Sequence, residues 1–159
     1  MNKLNEKKKG KLKLGLSIVS IVLSIITLVA VCVGLGNLAD NKTLGNNDYA
    51  IGTINTTGKV VESKQSAYTK NTYATDGMVI ELDEETATIT YKVAFYDKDG
   101  KFVSMTEALD KDFETTTIPE TATTFRVVVT PLAVDGNAVE LNIFNVGKYT
   151  SQLKVTIKN

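Results

Sequence analysis

Residues 86–96, "TATITYKVAFY", decide the fold. Ile89, Tyr91, Val93 and Phe95 fall on one side of an extended chain, and Thr88, Thr90, Lys92 and Ala94 on the other. Successive side chains of a strand point to opposite faces, so this period of two predicts a strand with one buried face. Residues 125–132, "FRVVVTPL", repeat the logic with Phe125, Val127 and Val129, and residues 138–144, "AVELNIF", with Val139, Leu141 and Ile143. "SQLKVTIK" (151–158) turns Leu153, Val155 and Ile157 inward and Lys154, Thr156 and Lys158 outward. "GMVIEL" (77–82) and "KFVSM" (101–105) are shorter candidates, and "YAIGTIN" (49–55) opens the domain.

Turn signals sit between these runs. Asp76-Gly77, Asp99-Gly100 and Asp135-Gly136 are all Asp-Gly pairs. Glycine tolerates positive φ and aspartate bonds its own backbone, so the pair favours tight reversals. Strands recurring about every 8–12 residues between such turns predict a sandwich or barrel. The expectation is an all-β, antiparallel β-sandwich of about eight strands over residues 49–159. No long amphipathic helix is readable there, and "SMTEALDKDF" (104–113) has room for one helical turn.

The stretch "YDKDG" (96–100) raises the question of a calcium loop. An EF-hand loop needs glycine at its sixth position and glutamate at its twelfth. Counted from Asp97, those positions hold Phe102 and Ala108. The match fails, and a hairpin turn between two alternating strands is the better reading. Asp97 and Asp99 stay as weak metal candidates, with distant acids such as Asp110 or Asp112 as their only company.

The charge is distributed unevenly. Net charge is zero, yet residues 1–13 hold six lysines and one glutamate, so the rest of the chain is acidic. Between tip and body, Leu14 to Ala39 contains no charged residue. Those 26 residues exceed the roughly 20 that cross a bilayer as a helix. They predict a single transmembrane helix ahead of the sandwich. The lysines before the span put the N-terminus in the cytoplasm and the body outside. A cleaved signal peptide would have a shorter apolar region and a small-x-small cleavage site, so an uncleaved anchor is favoured. Lipidation at Cys32 is a minor alternative, because Val31 stands where a small residue is needed. Residues 40–48, "DNKTLGNND", read as a linker. Within the span, Ser17, Ser20, Ser24 and Thr27 share one helix face. That stripe allows helix packing and a homo-oligomer in the membrane, or hydroxyls bonded back to their own helix.

Several chemistries are excluded by composition. The chain has no histidine and one cysteine, so Ser-His-Asp triads, Cys-His pairs and the usual zinc sites cannot form. No phosphate-binding glycine loop is present, and no cofactor is expected. Asp83, Glu84 and Glu85 read as a solvated loop rather than a catalytic pair, so an enzyme is not expected. Nucleic acid is not expected as a partner of an acidic body, whereas the basic tip suits anionic membrane lipid. Tryptophan is absent, but Tyr68, Tyr73 and Tyr96 lie in polar or turn-adjacent positions and are the ligand-binding candidates, with Tyr96 expected to be exposed.

"GTINTTGKVVESKQSAYTKNTYATDGMVIEL", "YKVAFYDKDGKFVSM" and "IPETATTFRVVV" together resemble the jelly-roll, carbohydrate-binding-like modules of Gram-positive surface and phage tail proteins. The resemblance covers most of residues 50–131 and carries no catalytic signature. It implies a jelly-roll-like sandwich with a binding or structural role. The expected function is a non-enzymatic binding or interaction module at the cell membrane, with surface glycan as one partner. The alternative is an accessory subunit of a cell-envelope complex, with an envelope protein as partner.

Overall fold

The computed structural model describes residues 41–158. The expected basic tip, the span at 14–39 with its Ser17, Ser20, Ser24 and Thr27 stripe, and Cys32 lie outside the described residues. Among the described residues no helix is long and apolar enough to cross a membrane.

The chain forms eleven short strands among the described residues. They are β1 (Asn41–Thr43), β2 (Tyr49–Ile51), β3 (Thr53–Ile54), β4 (Val60–Val61), β5 (Ala67–Thr69) and β6 (Tyr73–Ala74). Then follow β7 (Val79–Leu82), β8 (Ile89–Tyr96), β9 (Phe102–Met105), β10 (Thr124–Pro131) and β11 (Leu153–Lys158). A one-turn helix, α1 (Val146–Thr150), precedes the last strand. Every strand pairing is antiparallel. The larger sheet runs β2-β5-β10-β8-β9, with β6 also on β10; the smaller runs β1-β11-β7; β3 and β4 make a separate hairpin. The described residues are therefore all-β in class, with two antiparallel sheets contributing to one core.

That core follows from the alternation. Ile89, Tyr91, Val93 and Phe95 of β8 and Phe125, Val127 and Val129 of β10 join Ile80 and Leu82 of β7 and Leu153, Val155 and Ile157 of β11. The long pairing of β8 with β10, from Thr124↔Tyr96 to Pro131↔Ile89, holds both rows in register. Each such side chain contributes roughly 1.5–3 kcal/mol when fully buried. Pro131, lacking an N–H, is the last residue of its strand, and the ladder bond beyond it is made by the Leu132 N–H, which donates to the Thr88 carbonyl at 2.8 Å.

Three expectations are corrected. Residues 41–48 are not a linker but part of the fold. Asn41–Thr43 pair with Lys158–Thr156, Leu44 is buried, and its N–H donates to the Val155 carbonyl at 2.8 Å. Their polarity reports exposure, which an edge strand shares with a linker. Residues 138–144 are not a strand. Leu141 is buried and Val139 packs on the core, but Ile143 is 80% exposed. Asn142 and Asn145 intervene: Asn142 Oδ1 accepts the Phe144 N–H at 2.9 Å, and Asn145 Oδ1 accepts the Asn142 N–H at 2.7 Å. Side-chain amides thus take the backbone groups a sheet would need. Finally, residues 104–113 hold no helical turn. They carry the end of β9 and an isolated bridge in which Leu109 pairs with Tyr91.

Candidate binding groove

The β3–β4 hairpin lies across the outer face of the larger sheet. Ile54 is buried against Ala94, Tyr96 and Val128, with Tyr68, Phe102 and Met105 around them. Two glycines permit this approach. A Cβ on Gly52 would stand 2.9 Å from the Tyr68 ring, and one on Gly58 2.4 Å from Phe102 Cδ2. The Tyr96 hydroxyl donates to the Gly58 carbonyl at 3.0 Å. Burial pushes that hydroxyl above its ordinary pKa, opposed by nearby Arg126, so it stays a donor.

Beside the hairpin the outer face opens into a groove of about 520 Å3. Thr53, Asn55 and Thr56 of the hairpin form one wall. The outward residues Thr90 and Lys92 of β8, and Val128 and Thr130 of β10, form the floor. Ser66, Met105 and Ala108 complete the lining. Ser66 and Thr130 hydroxyls share a hydrogen bond of 2.9 Å, which fixes that end of the floor. The groove therefore combines several hydroxyls and one amide with apolar surface from Ile54, Val128 and Met105. A second, smaller cavity of about 230 Å3 lies by Leu109 and Phe113.

The tyrosine candidates divide between two places. Tyr68 and Tyr96 are both on the hairpin side of the sheet, as their parity predicts, but neither lines the groove. Tyr96, expected to be exposed, is only 6% exposed, because the hairpin and Phe102 cover it. Sequence reasoning had no access to that lid, whose own strands are two residues long. Tyr73 lies elsewhere, tilted against Phe125 at 6.2 Å and with its hydroxyl 3.4 Å from Asp48 Oδ1. Asp48 also accepts from Lys42 Nζ at 2.9 Å and from the Gly45 N–H at 2.9 Å. The Lys42 hydrogen bond leads in holding the Asp48 carboxyl below its ordinary 3.8. Its contribution to stability is thus present above that pH and lost on acidification. The residues that do line the groove were legible only as outward-facing polar positions of β8 and β10.

Asp97 and Asp99 belong to a turn. The Asp97 carboxylate accepts the N–H groups of Asp99 and Lys101, each at 2.9 Å. Gly100 takes φ +74° and its N–H donates to the Asp97 carbonyl at 3.0 Å. The β3–β4 turn is built the same way. Asn55 Oδ1 accepts the N–H groups of Thr57 and Lys59 at 3.0 and 2.9 Å, and Gly58 takes φ +77°. An asparagine thus does in one hairpin what aspartate does in the other, so the turn needs an acceptor oxygen and no charge. Asp99 only reaches its neighbour Lys98, at 3.2 Å, in solvent. Among the described residues no group of three or more His, Cys, Asp or Glu is placed to hold a metal ion. Asp97→Asn is expected to change stability by less than about 0.5 kcal/mol. Asp97→Ala is expected to cost about 1–2 kcal/mol through two lost hydrogen bonds. Urea titrations followed by tyrosine circular dichroism check both, and a large loss in the asparagine variant would contradict the shared-turn account.

No family model, no curated protein and no solved structure matches the chain.

Proposed function

We propose that the chain is a membrane-anchored protein carrying a jelly-roll-like β-sandwich outside the cell, used as a non-enzymatic binding module for carbohydrate. The observation that carries this reading is the groove beside the hairpin. Its hydroxyl and amide groups from Thr53, Asn55, Thr56, Thr90 and Thr130 adjoin the apolar Ile54, Val128 and Met105. A saccharide presents the same combination, a rim of hydroxyls around apolar C–H faces, and binding sites are concave, largely preformed and sparsely polar. The apolar run at 14–39 and the lysines before it supply the anchor and its orientation.

The test is a glycan array probed with the full chain in detergent micelles, with and without calcium. Binding is expected in both conditions. Ala108→Trp, at an exposed lining position, is expected to fill the groove and lower binding at least tenfold. Unchanged binding by that variant would place the ligand elsewhere. A well-folded chain that binds no saccharide would sink the reading and favour the second one, an accessory subunit of an envelope complex. That alternative draws on the adjacent Ile143 and Phe144, 80% and 91% exposed on a loop braced by Asn142 and Asn145.

A further inference from the structure

Resting on the saccharide reading of this groove, we propose that its ligand is anionic: a hydroxylated chain bearing carboxylate or phosphate groups, met by Lys92. Residues 41–158 hold sixteen acids against twelve bases, so the body repels anions on average. None of those acids lines the groove, and its one charged residue is Lys92. Every other described lysine is exposed, whereas Lys92 is half-buried. Among the described residues its ammonium enters no ion pair.

A second cation lies on the same face of the sheet, outside the groove lining. Arg126, the only arginine of the chain, is also half-buried, and its Nε is buried with no hydrogen-bond partner among the described residues. The register pairs Lys92 with Val128 and Arg126 with Ala94. The two cations therefore lie diagonally on the same outer face of neighbouring strands. Half-burying a cation without a counter-charge costs free energy. An anion seated in the groove gives Lys92 the counter-charge that it lacks among the described residues. A neutral saccharide leaves Lys92 unpaired and bears that desolvation cost.

The experiment titrates the full chain in detergent micelles with three polymers: polygalacturonate for carboxylate, poly(glycerol phosphate) for phosphate, and dextran as the neutral reference. At least one anionic polymer is expected to bind tenfold or more tightly than dextran, and the arm that binds identifies the anion. Lys92→Gln is expected to remove most of that preference and Lys92→Arg to keep much of it. Tyrosine circular dichroism reports whether each variant is folded. Should the glutamine variant misfold, salt provides the same test on the unaltered chain. Raising it from about 50 to about 500 mM is expected to weaken the anionic polymer and spare dextran. Equal binding of all three polymers, unaffected by Lys92→Gln or by salt, would overturn the anionic inference and leave the saccharide reading standing. Binding of none of them, with an empty glycan array, would overturn both.

Discussion

Phe125→Ala is expected to lower folding stability by about 3–5 kcal/mol. Phe125 is fully buried in the shared core, near the start of the strand that both β6 and β8 pair with. Its ring packs against Tyr73, and its removal leaves a void walled by strands that are themselves held in register. Such walls relax little, so the cavity persists and adds to the lost transfer energy. Domains of this size have about 5–15 kcal/mol in total, so the variant loses a large share of its margin. All six tyrosines lie between residues 49 and 149 and tryptophan is absent, so tyrosine circular dichroism in urea reports on this unit alone. A loss below about 1 kcal/mol would mean that the two sheets do not pack as described.

Gly58→Ala is expected to cost about 2–5 kcal/mol. Two effects add. Forcing a side chain into the left-handed region costs roughly 1–2 kcal/mol. The new Cβ would also stand 2.4–2.5 Å from Phe102 Cδ2, Cβ and Cγ, and overpacking of that kind costs about 1–3 kcal/mol. Gly100 separates the effects. It has nearly the same φ, +74° against +77°, in a turn of the same build, yet nothing lies within 4 Å of its would-be Cβ. Gly100→Ala should therefore show the backbone cost alone. The difference between the two variants measures how tightly the hairpin presses on the sheet. Because that hairpin is a wall of the groove, Gly58→Ala should also weaken ligand binding while Gly100→Ala leaves it intact. Equal losses in the two variants would contradict the close approach at Phe102.

The sequence was legible where one face of a long strand is buried. In β8, β10 and β11 alternation reports the core directly, and the inward residues are those expected. It was silent where pairing is short and solvated. β1 is exposed throughout and looks like linker, and β3, β4 and β6 have two residues each, too few to show a period. It misled at 138–144, where apolar residues alternate but two asparagines fold the backbone onto their own side chains. The groove was half legible. Thr90 and Lys92 were readable as outward-facing. That a hairpin from residues 53–61 would lie across them depends on two glycines whose partners, Tyr68 and Phe102, are distant in sequence.

The position of β11 bears on when this unit can form during synthesis. Of the described strands it is made last, yet it is the central strand of the smaller sheet, joining β1 on one side to β7 on the other. Until it has been made, neither neighbour has a partner, and Ile80 and Leu82 have no Leu153, Val155 or Ile157 to pack against. Its register with Asn41–Thr43 spans nearly the whole described chain, so the loop it closes is long and slow to close. The larger sheet can assemble earlier, since all of its strands precede β11. The smaller one must wait, and in that interval the inner face of the first is uncovered. A chaperone or a bilayer surface meeting the nascent chain would find its apolar target there, in the moments before the final strand arrives.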